Sequence, residues 1–282
     1  MRPVDPARAP APVWEIATPP RPCRIPGVGM AGFRTSAPVD LDVVPYPAVT
    51  LALDLGDPPL AVDDATGRRT HGSVVVGLGP GGVRGHGSAV TCLQLRLAPP
   101  VAHRILGASS ELGGTVVGLD QLWGRDGERT EERLRATPSW DERFAIAEAA
   151  LVRRFADGRP VDPEVAFAWD RLVAQRGAVR IELIAAETGW SRKRLWSRFH
   201  AQTGLGPKHA ARLVRFDDAA HRLAAGHSAA RVAADTGYTD QSHLHRDIRT
   251  FTGTTPSTLA NAPWLSVDPT AWPATRPDGG HA

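Results

Sequence analysis

The chain reads as an α+β protein. A strand-rich N-terminal region with some helices is followed by an all-helical C-terminal region of two helix-turn-helix units joined by a linker helix. Three observations predict this. A stretch near the C-terminus is written twice; apolar runs before Pro99-Pro100 are short and broken by Gly, Pro and Asp; and after that point the apolar period becomes helical. At 282 residues the chain is long enough for two domains, each with its own core.

Taken in order, residues 1–28 are rich in Pro and Arg and read as a loosely ordered arm. Residues 29–160 are expected to form a β-rich domain. Val49 to Leu55, Ser73 to Leu78 and Ala89 to Leu97 read as strands; in the last, Cys92, Gln94 and Arg96 alternate with Leu93, Leu95 and Leu97, the period of a half-buried strand. Glycine clusters such as Gly77 to Gly82 supply turns, so a small antiparallel barrel or double-sheet roll is expected. Helices are expected at Val101 to Leu106, within Leu119 to Leu134, and at Trp140 to Phe155. The last carries Phe144, Ala147, Leu151 and Phe155 on one face and stops at Asp157-Gly158-Arg159-Pro160. That face serves either a dimer contact or packing on its own domain. Residues 161–262 form the helical domain, and 263–282, Pro-rich and aperiodic, read as a disordered tail.

The duplication lies in the helical domain. Ile184-Ala185-Ala186-Glu187-Thr188-Gly189-Trp190-Ser191 recurs at a spacing of 48 as Val232-Ala233-Ala234-Asp235-Thr236-Gly237-Tyr238-Thr239. After one inserted residue, at a spacing of 49, Leu195 matches Leu244, Phe199 matches Ile248, Thr203-Gly204 match Thr252-Gly253 and Pro207 matches Pro256. Each copy is a short apolar helix, a Gly turn, a capping residue and a polar helix, the outline of a helix-turn-helix. Ser191 and Asp240 share little except the ability to cap a helix N-terminus. Val165, Trp169, Leu172 and Val173 stripe a helix entered through Asp162-Pro163, and Pro207 to Ala225 reads as one rigid helix that Gly226 ends. Such a linker would hold two heads at a fixed separation, and major grooves on one face of DNA recur every ~34 Å.

With Leu195, Phe199, Leu244 and Ile248 turned inward, the outward positions are Arg192, Lys193, Trp196, Ser197 and Arg198 in the first unit, and Gln241, Ser242, His243, His245 and Arg246 in the second. Arg forks to guanine, Gln to adenine, and Ser to several edges. Arg192, Arg194, Arg198 and Arg249 could equally neutralise phosphates, or simply form a solvated helix face. Trp196 divides between a core edge and a thymine-methyl contact. His243 and His245, two apart on a helix, point to different faces, so no metal site is expected there.

The second copy, with Gly237-Tyr238-Thr239-Asp240-Gln241-Ser242-His243-Leu244, Arg246-Asp247, Gly253 and Thr255-Pro256, strongly resembles the AraC/XylS family of bacterial transcription regulators. In the first, Ser191, Arg192, Leu195 and Phe199 fit the same family's pattern. The resemblance covers residues 162–261. It implies a seven-helix DNA-binding domain whose third and sixth helices enter the major groove. Lys193, Trp196 and Ser197 then match the base-reading places of the third helix, and Gln241, Ser242, His245 and Arg246 those of the sixth. It departs from the family at Ile248, often Phe, and at Leu259-Ala260, where an Arg is common. Family members usually carry an N-terminal effector or dimerisation domain, frequently a cupin-like barrel. The partners implied are double-stranded DNA at a promoter or operator, a small-molecule effector, a second copy of the chain and, for an activator, RNA polymerase.

Charge agrees with this division. Residues 162–262 hold 14 Lys+Arg against 10 Asp+Glu, a net +4 that exceeds the +3 of the whole chain. That is low for a non-specific architectural protein coating DNA. Cys23 and Cys92 stand far apart outside any CxxC pattern, as two ordinary thiols would. No signal peptide or apolar run of membrane-spanning length is visible, and a cytoplasmic protein with no membrane partner is expected. The rival reading is a metal-dependent, cupin-type enzyme targeted by a DNA-binding module. It would need clustered ligands, whereas the histidines before residue 200 are His71, His86 and His103, outside any HxH or HxxxE arrangement. No catalytic residue, metal or cofactor is expected.

Overall fold

The computed structural model describes residues 13–107 and 111–272. Strands β1 (Glu15–Ala17), β2 (Val28–Thr35), β3 (Val39–Val43), β4 (Val49–Asp54), β5 (Ala61–Asp63), β6 (Arg69–His71), β7 (Val74–Val76), β8 (Val83–Gly87), β9 (Val90–Leu97) and β10 (Val116–Gly118) form two antiparallel sheets. Their orders are β1-β2-β9-β4-β7-β10 and β3-β8-β5-β6. The strand-rich expectation is met as a double-sheet roll, with β9 central and paired to β2 from Val28↔Leu97 to Thr35↔Val90.

β9 is covered on both faces, not half-buried as its alternation suggested. Cys92 and Gln94 look into a cavity between the sheets, while Leu93, Leu95 and Leu97, on the opposite face by strand geometry, are wholly buried. Helices α1 (Pro99–Leu106), α2 (Leu119–Ala136) and α3 (Trp140–Asp157) follow. Trp140 lies over β2 at Gly32, where any Cβ would sit 2.5 Å from the indole ring. The α3 stripe of Phe144, Ala147 and Leu151 is buried within the chain.

The helical region comprises α4 (Pro163–Ala174), α5 (Ile181–Glu187), α6 (Arg192–Thr203), α7 (Pro207–Ala224), α8 (Ala229–Asp235), α9 (Gln241–Thr252) and α10 (Pro256–Ala260). Helix α1 touches α4 and α6 as well as α3, and the buried apolar side chains form one continuous cluster through both regions.

Two segments read as loose are built into this cluster. Within the 1–28 arm, β1 pairs with β2 from Glu15↔Arg34 to Ala17↔Gly32, and Trp14 sets its edge against Phe33 at 6.0 Å. Farther along, Arg21 Nη2 and the Arg24 amide both donate to Glu148 on α3 at 2.7 Å. In the 263–282 tail, Pro263 opens a helix, α11 (Pro263–Ala271), and Trp264, Leu265 and Trp272 are buried. Proline at the first helical position loses no bond, because that N–H has no partner in a helix anyway. Pro269, inside the helix, does forgo one, and burial of the two tryptophans offsets it. Residues 1–12 of the arm and 273–282 of the tail lie outside the described residues.

Candidate nucleic-acid interface

Both repeats fold as helix, turn and helix, and the turn geometry explains why. Gly189 and Gly237 sit at φ 68° and 74°, a left-handed conformation that a side chain disfavours. The reversed chain then delivers the capping residue. Ser191 Oγ accepts from the Arg194 amide at 3.2 Å, and Asp240 Oδ1 accepts from the His243 amide at 2.7 Å. Leu195 and Phe199 on α6, and Leu244, Ile248 and Phe251 on α9, have no exposed surface. The remaining faces of α6 and α9 thus point outward by default. The linker α7 buries Ala210, Leu213, Phe216 and Ala219 between the two units. From α4 to α10 there are seven helices, with α6 third and α9 sixth.

The outward residues are not equally free. Arg192, Lys193, Trp196, Ser197, Gln241, Ser242, Arg246 and Arg249 are exposed, and His243 and His245 are partly covered. Arg198, although exposed, is occupied: its Nε and Nη2 fork onto Asp162 at 2.6 and 2.8 Å. That bond takes the Asp162 side chain away from capping α4 and holds its carboxyl below the usual carboxylate range. Arg192 reaches Glu182 at only 3.5 Å. Lys193, Arg194, Arg246 and Arg249 make no ion pair among the described residues, while Arg194 lies 4.5 Å from the Trp190 ring centroid.

Trp196 is packed on one side and open on the other. One edge abuts the linker, where a Cβ on Gly206 would lie 2.9 Å from Nε1. Its face stacks on His200 at 5.0 Å, and 55% of the residue stays open to solvent. On α9, Gln241 Nε2 and His245 Nε2 lie 3.3 Å apart. His243 meets the Tyr238 ring edge-on at 5.1 Å.

Electrostatics mark α6 most clearly. Its first turn is Arg192-Lys193-Arg194 with no acidic residue. The exposed amides of a helix N-terminus act as a partial positive charge, so each cation there is disfavoured by a few tenths of a kcal/mol to ~1 kcal/mol. An anion set against that turn would meet both the dipole and the side chains.

Sequence reasoning missed the ties that aim these helices. Asp247 on α9 accepts from Arg212 Nη2 on the linker at 2.7 Å, and Arg215 Nη1 donates to the Gly237 carbonyl at 3.3 Å. The Asp247 position aligns with Arg198 in the first copy. Each repeat therefore uses the same helical position for an ion pair to its scaffold, with opposite charge. Only that alignment signalled it. Elsewhere, His86 lies between Asp40 and Asp63 at 3.2 and 2.8 Å, and His103 is buried on α1. Among the described residues no group of three His, Cys, Asp or Glu side chains is arranged to hold a metal. Nor is any described helix long and apolar enough to cross a membrane.

Two capped helices presented from one scaffold define a helix-turn-helix protein. Residues 184–262 match a family model described as a helix-turn-helix domain, and this C-terminal domain is of the AraC type. Among solved structures, the chain is similar to ToxT from Vibrio cholerae O395, at 8% identity and TM-score 0.47 over 83% of this chain and 97% of that one. ToxT in a second crystal form gives 10% and 0.45 over 83% and 98%. Unsaturated fatty acid-bound wild-type ToxT from strain SCE256 gives 8% and 0.46 over 86% and 97%. No curated protein sequence matches the chain.

Proposed function

We propose that the chain is a ligand-responsive, sequence-specific transcription regulator. Residues 161–262 act as its DNA-binding unit, with α6 and α9 entering successive major grooves of a promoter or operator. The observation that carries this reading is the pair of exposed, N-capped helices held on one linker inside an AraC-type domain. Lys193, Trp196 and Ser197 read bases from α6, and Gln241, Ser242, His245 and Arg246 from α9. Arg192, Arg194 and Arg249 meet phosphates, and His243 supports the start of α9 against Tyr238. Arg198 contributes by fixing α6 to α4 more than by touching DNA, since Asp162 holds its fork. A small molecule in the cavity between the sheets acts as effector by shifting the presentation of the two heads. A second copy of the chain and RNA polymerase are the remaining partners of this reading, which assigns no catalysis to the strand-rich region.

The test is selection of sequences bound by the full chain from a random DNA pool at stated salt. A bipartite motif with half-elements about one helical turn apart is expected. Enrichment of no motif, or of a single undivided element, would remove the two-headed reading.

A further inference from the structure

We propose that the cavity between the sheets takes an uncharged, largely apolar small molecule with one hydrogen-bond acceptor, and that α11 carries its occupancy to the linker helix α7. The proposal rests on the ligand-responsive reading above and gives it a ligand class and a mechanical path.

The lining sets the class. The cavity measures about 110 Å³ and is walled by side chains such as Phe33, Val39, Leu41, Val62 and Val74, with no Asp, Glu, Lys, Arg or His among its lining residues. Apolar cavities of roughly 150 Å³ stay dry and accept benzene, so a ring-sized ligand enters this smaller one only by shifting its walls, Trp264 among them. An ionised ligand would lose its hydration there without a counter-charge, a penalty of several kcal/mol. Two polar demands remain, and the Tyr46 hydroxyl, which also lines the cavity and is buried without a hydrogen-bond partner among the described residues, is one of them. Trp264 lines the cavity, and its indole N–H is buried without an acceptor among the described residues. A ligand carbonyl or ether oxygen would satisfy it.

The path starts at the same tryptophan. Trp264 also packs on Phe33 of β2 at 5.4 Å. One helical turn on, and so on the same face of α11, lies Asp268. Its side chain is 4% exposed, and its two oxygens face two different elements. Oδ1 accepts from Arg96 Nη2 of β9 at 2.9 Å, and Oδ2 lies 3.0 Å from His221 Nε2 of α7. Arg96 is itself sandwiched between Tyr46 and Trp272, its guanidinium 3.6 and 4.1 Å from their ring centroids. His221 Nδ1 is anchored on the Asp217 carbonyl at 2.8 Å. Asp268 thus joins the roll to the helix between the two reading heads.

A buried ion cluster of this kind does not stretch gradually, because a half-broken pair leaves an uncompensated charge. A ligand that displaces Trp264 must therefore either drag α7 with α11 or release it. Both change how α6 and α9 are presented to DNA. The helix that does this begins at residue 263, directly after the matched domain ends at 262.

The experiment uses the full chain, the DNA site selected above, and two probes of equal size, acetophenone and benzoate. Acetophenone is expected to bind saturably by tryptophan fluorescence, at least tenfold more tightly than benzoate, and to change affinity for the selected site at least fivefold. Asp268→Asn, of the same shape, should keep acetophenone binding and DNA binding but lose the ligand's effect on DNA. His221→Gln, which cuts only the branch to α7, should do the same and serves if Asp268→Asn fails to fold. Equal binding of benzoate, or no saturable binding of acetophenone, overturns the ligand class. Acetophenone that binds yet leaves wild-type DNA affinity unchanged, or variants that still respond like wild type, overturns the path through α11. Loss of the ligand-responsive reading itself is a separate result: selected DNA is bound, but no member of a chemically mixed panel, charged ligands included, alters its affinity.

Discussion

Asp247→Ala and Arg198→Ala strike the same helical position in the two repeats and should give opposite readouts. The Asp247 side chain is 4% exposed and its partner Arg212 38%. Breaking a fully buried pair costs about 3–5 kcal/mol, but Arg212 can turn to water once abandoned. The loss is then nearer one charge-assisted hydrogen bond plus the vacated volume, about 2 kcal/mol. Arg198 and Asp162 are 50% and 25% exposed, so that pair is worth under about 1 kcal/mol even with forked geometry. Urea denaturation of the full chain, followed by far-ultraviolet circular dichroism, should show a clear fall in midpoint for Asp247→Ala and little for Arg198→Ala. On DNA, the salt dependence of log affinity separates the roles. Arg249→Ala should reduce the slope by about 1, as loss of a phosphate-neutralising charge does, whereas Arg198→Ala should leave it unchanged. If Arg198→Ala flattens the slope as much as Arg249→Ala, the arginine leaves Asp162 for the backbone on binding, and its assignment as a scaffold tie fails.

Three further outcomes follow from particular groups. Burial opposes charge on His221, but its bond to Asp268 and the neighbouring Asp217 overcome that and hold its pKa at about 9. A raised value means this stabilisation is complete below the unfolded value near 6.5 and is lost as pH rises through about 9, to an upper limit of about 3 kcal/mol. The urea midpoint should fall between pH 7 and 10 more steeply for wild type than for His221→Gln; parallel curves would remove the histidine from the account. Gly32→Ala would bring a methyl within 2.5 Å of the Trp140 ring and should cost about 1–3 kcal/mol by overpacking, measured by the same denaturation; Trp140→Ala in the same chain should recover part of it. Gln241→Ala or Arg246→Ala should lose about 1–3 kcal/mol on the selected site while non-specific binding barely changes. An equal loss on both kinds of DNA, measured by competition titration, would make these residues phosphate contacts.

What could be read from the chain in advance depended on how local its cause was. The turns at Gly189 and Gly237, the caps Ser191 and Asp240, and the inward pairs Leu195/Leu244 and Phe199/Ile248 are settled within a dozen residues, and duplication states each of them twice. The strands β4, β7 and β9 are visible as short apolar runs, β9 also from its alternation, but not that β9 is central. Arg96 in an apolar run looks like an outward residue until a partner appears 172 positions later at Asp268. The tail reads differently from its structure for the same reason. Composition treats Pro263 and Pro269 as disorder, while the value of Trp264 and Trp272 depends on a sheet face assembled far upstream. Local chemistry thus wrote the two heads plainly, and distant pairing wrote the joint between them and the roll. A regulator needs those two kinds of information to be separable. The heads must keep their shape whether or not the joint is made, and their caps and cores give them that independence. The joint must be able to break, and a charge cluster of Arg96 on β9, His221 and Asp217 on α7 and Asp268 on α11 breaks as a unit.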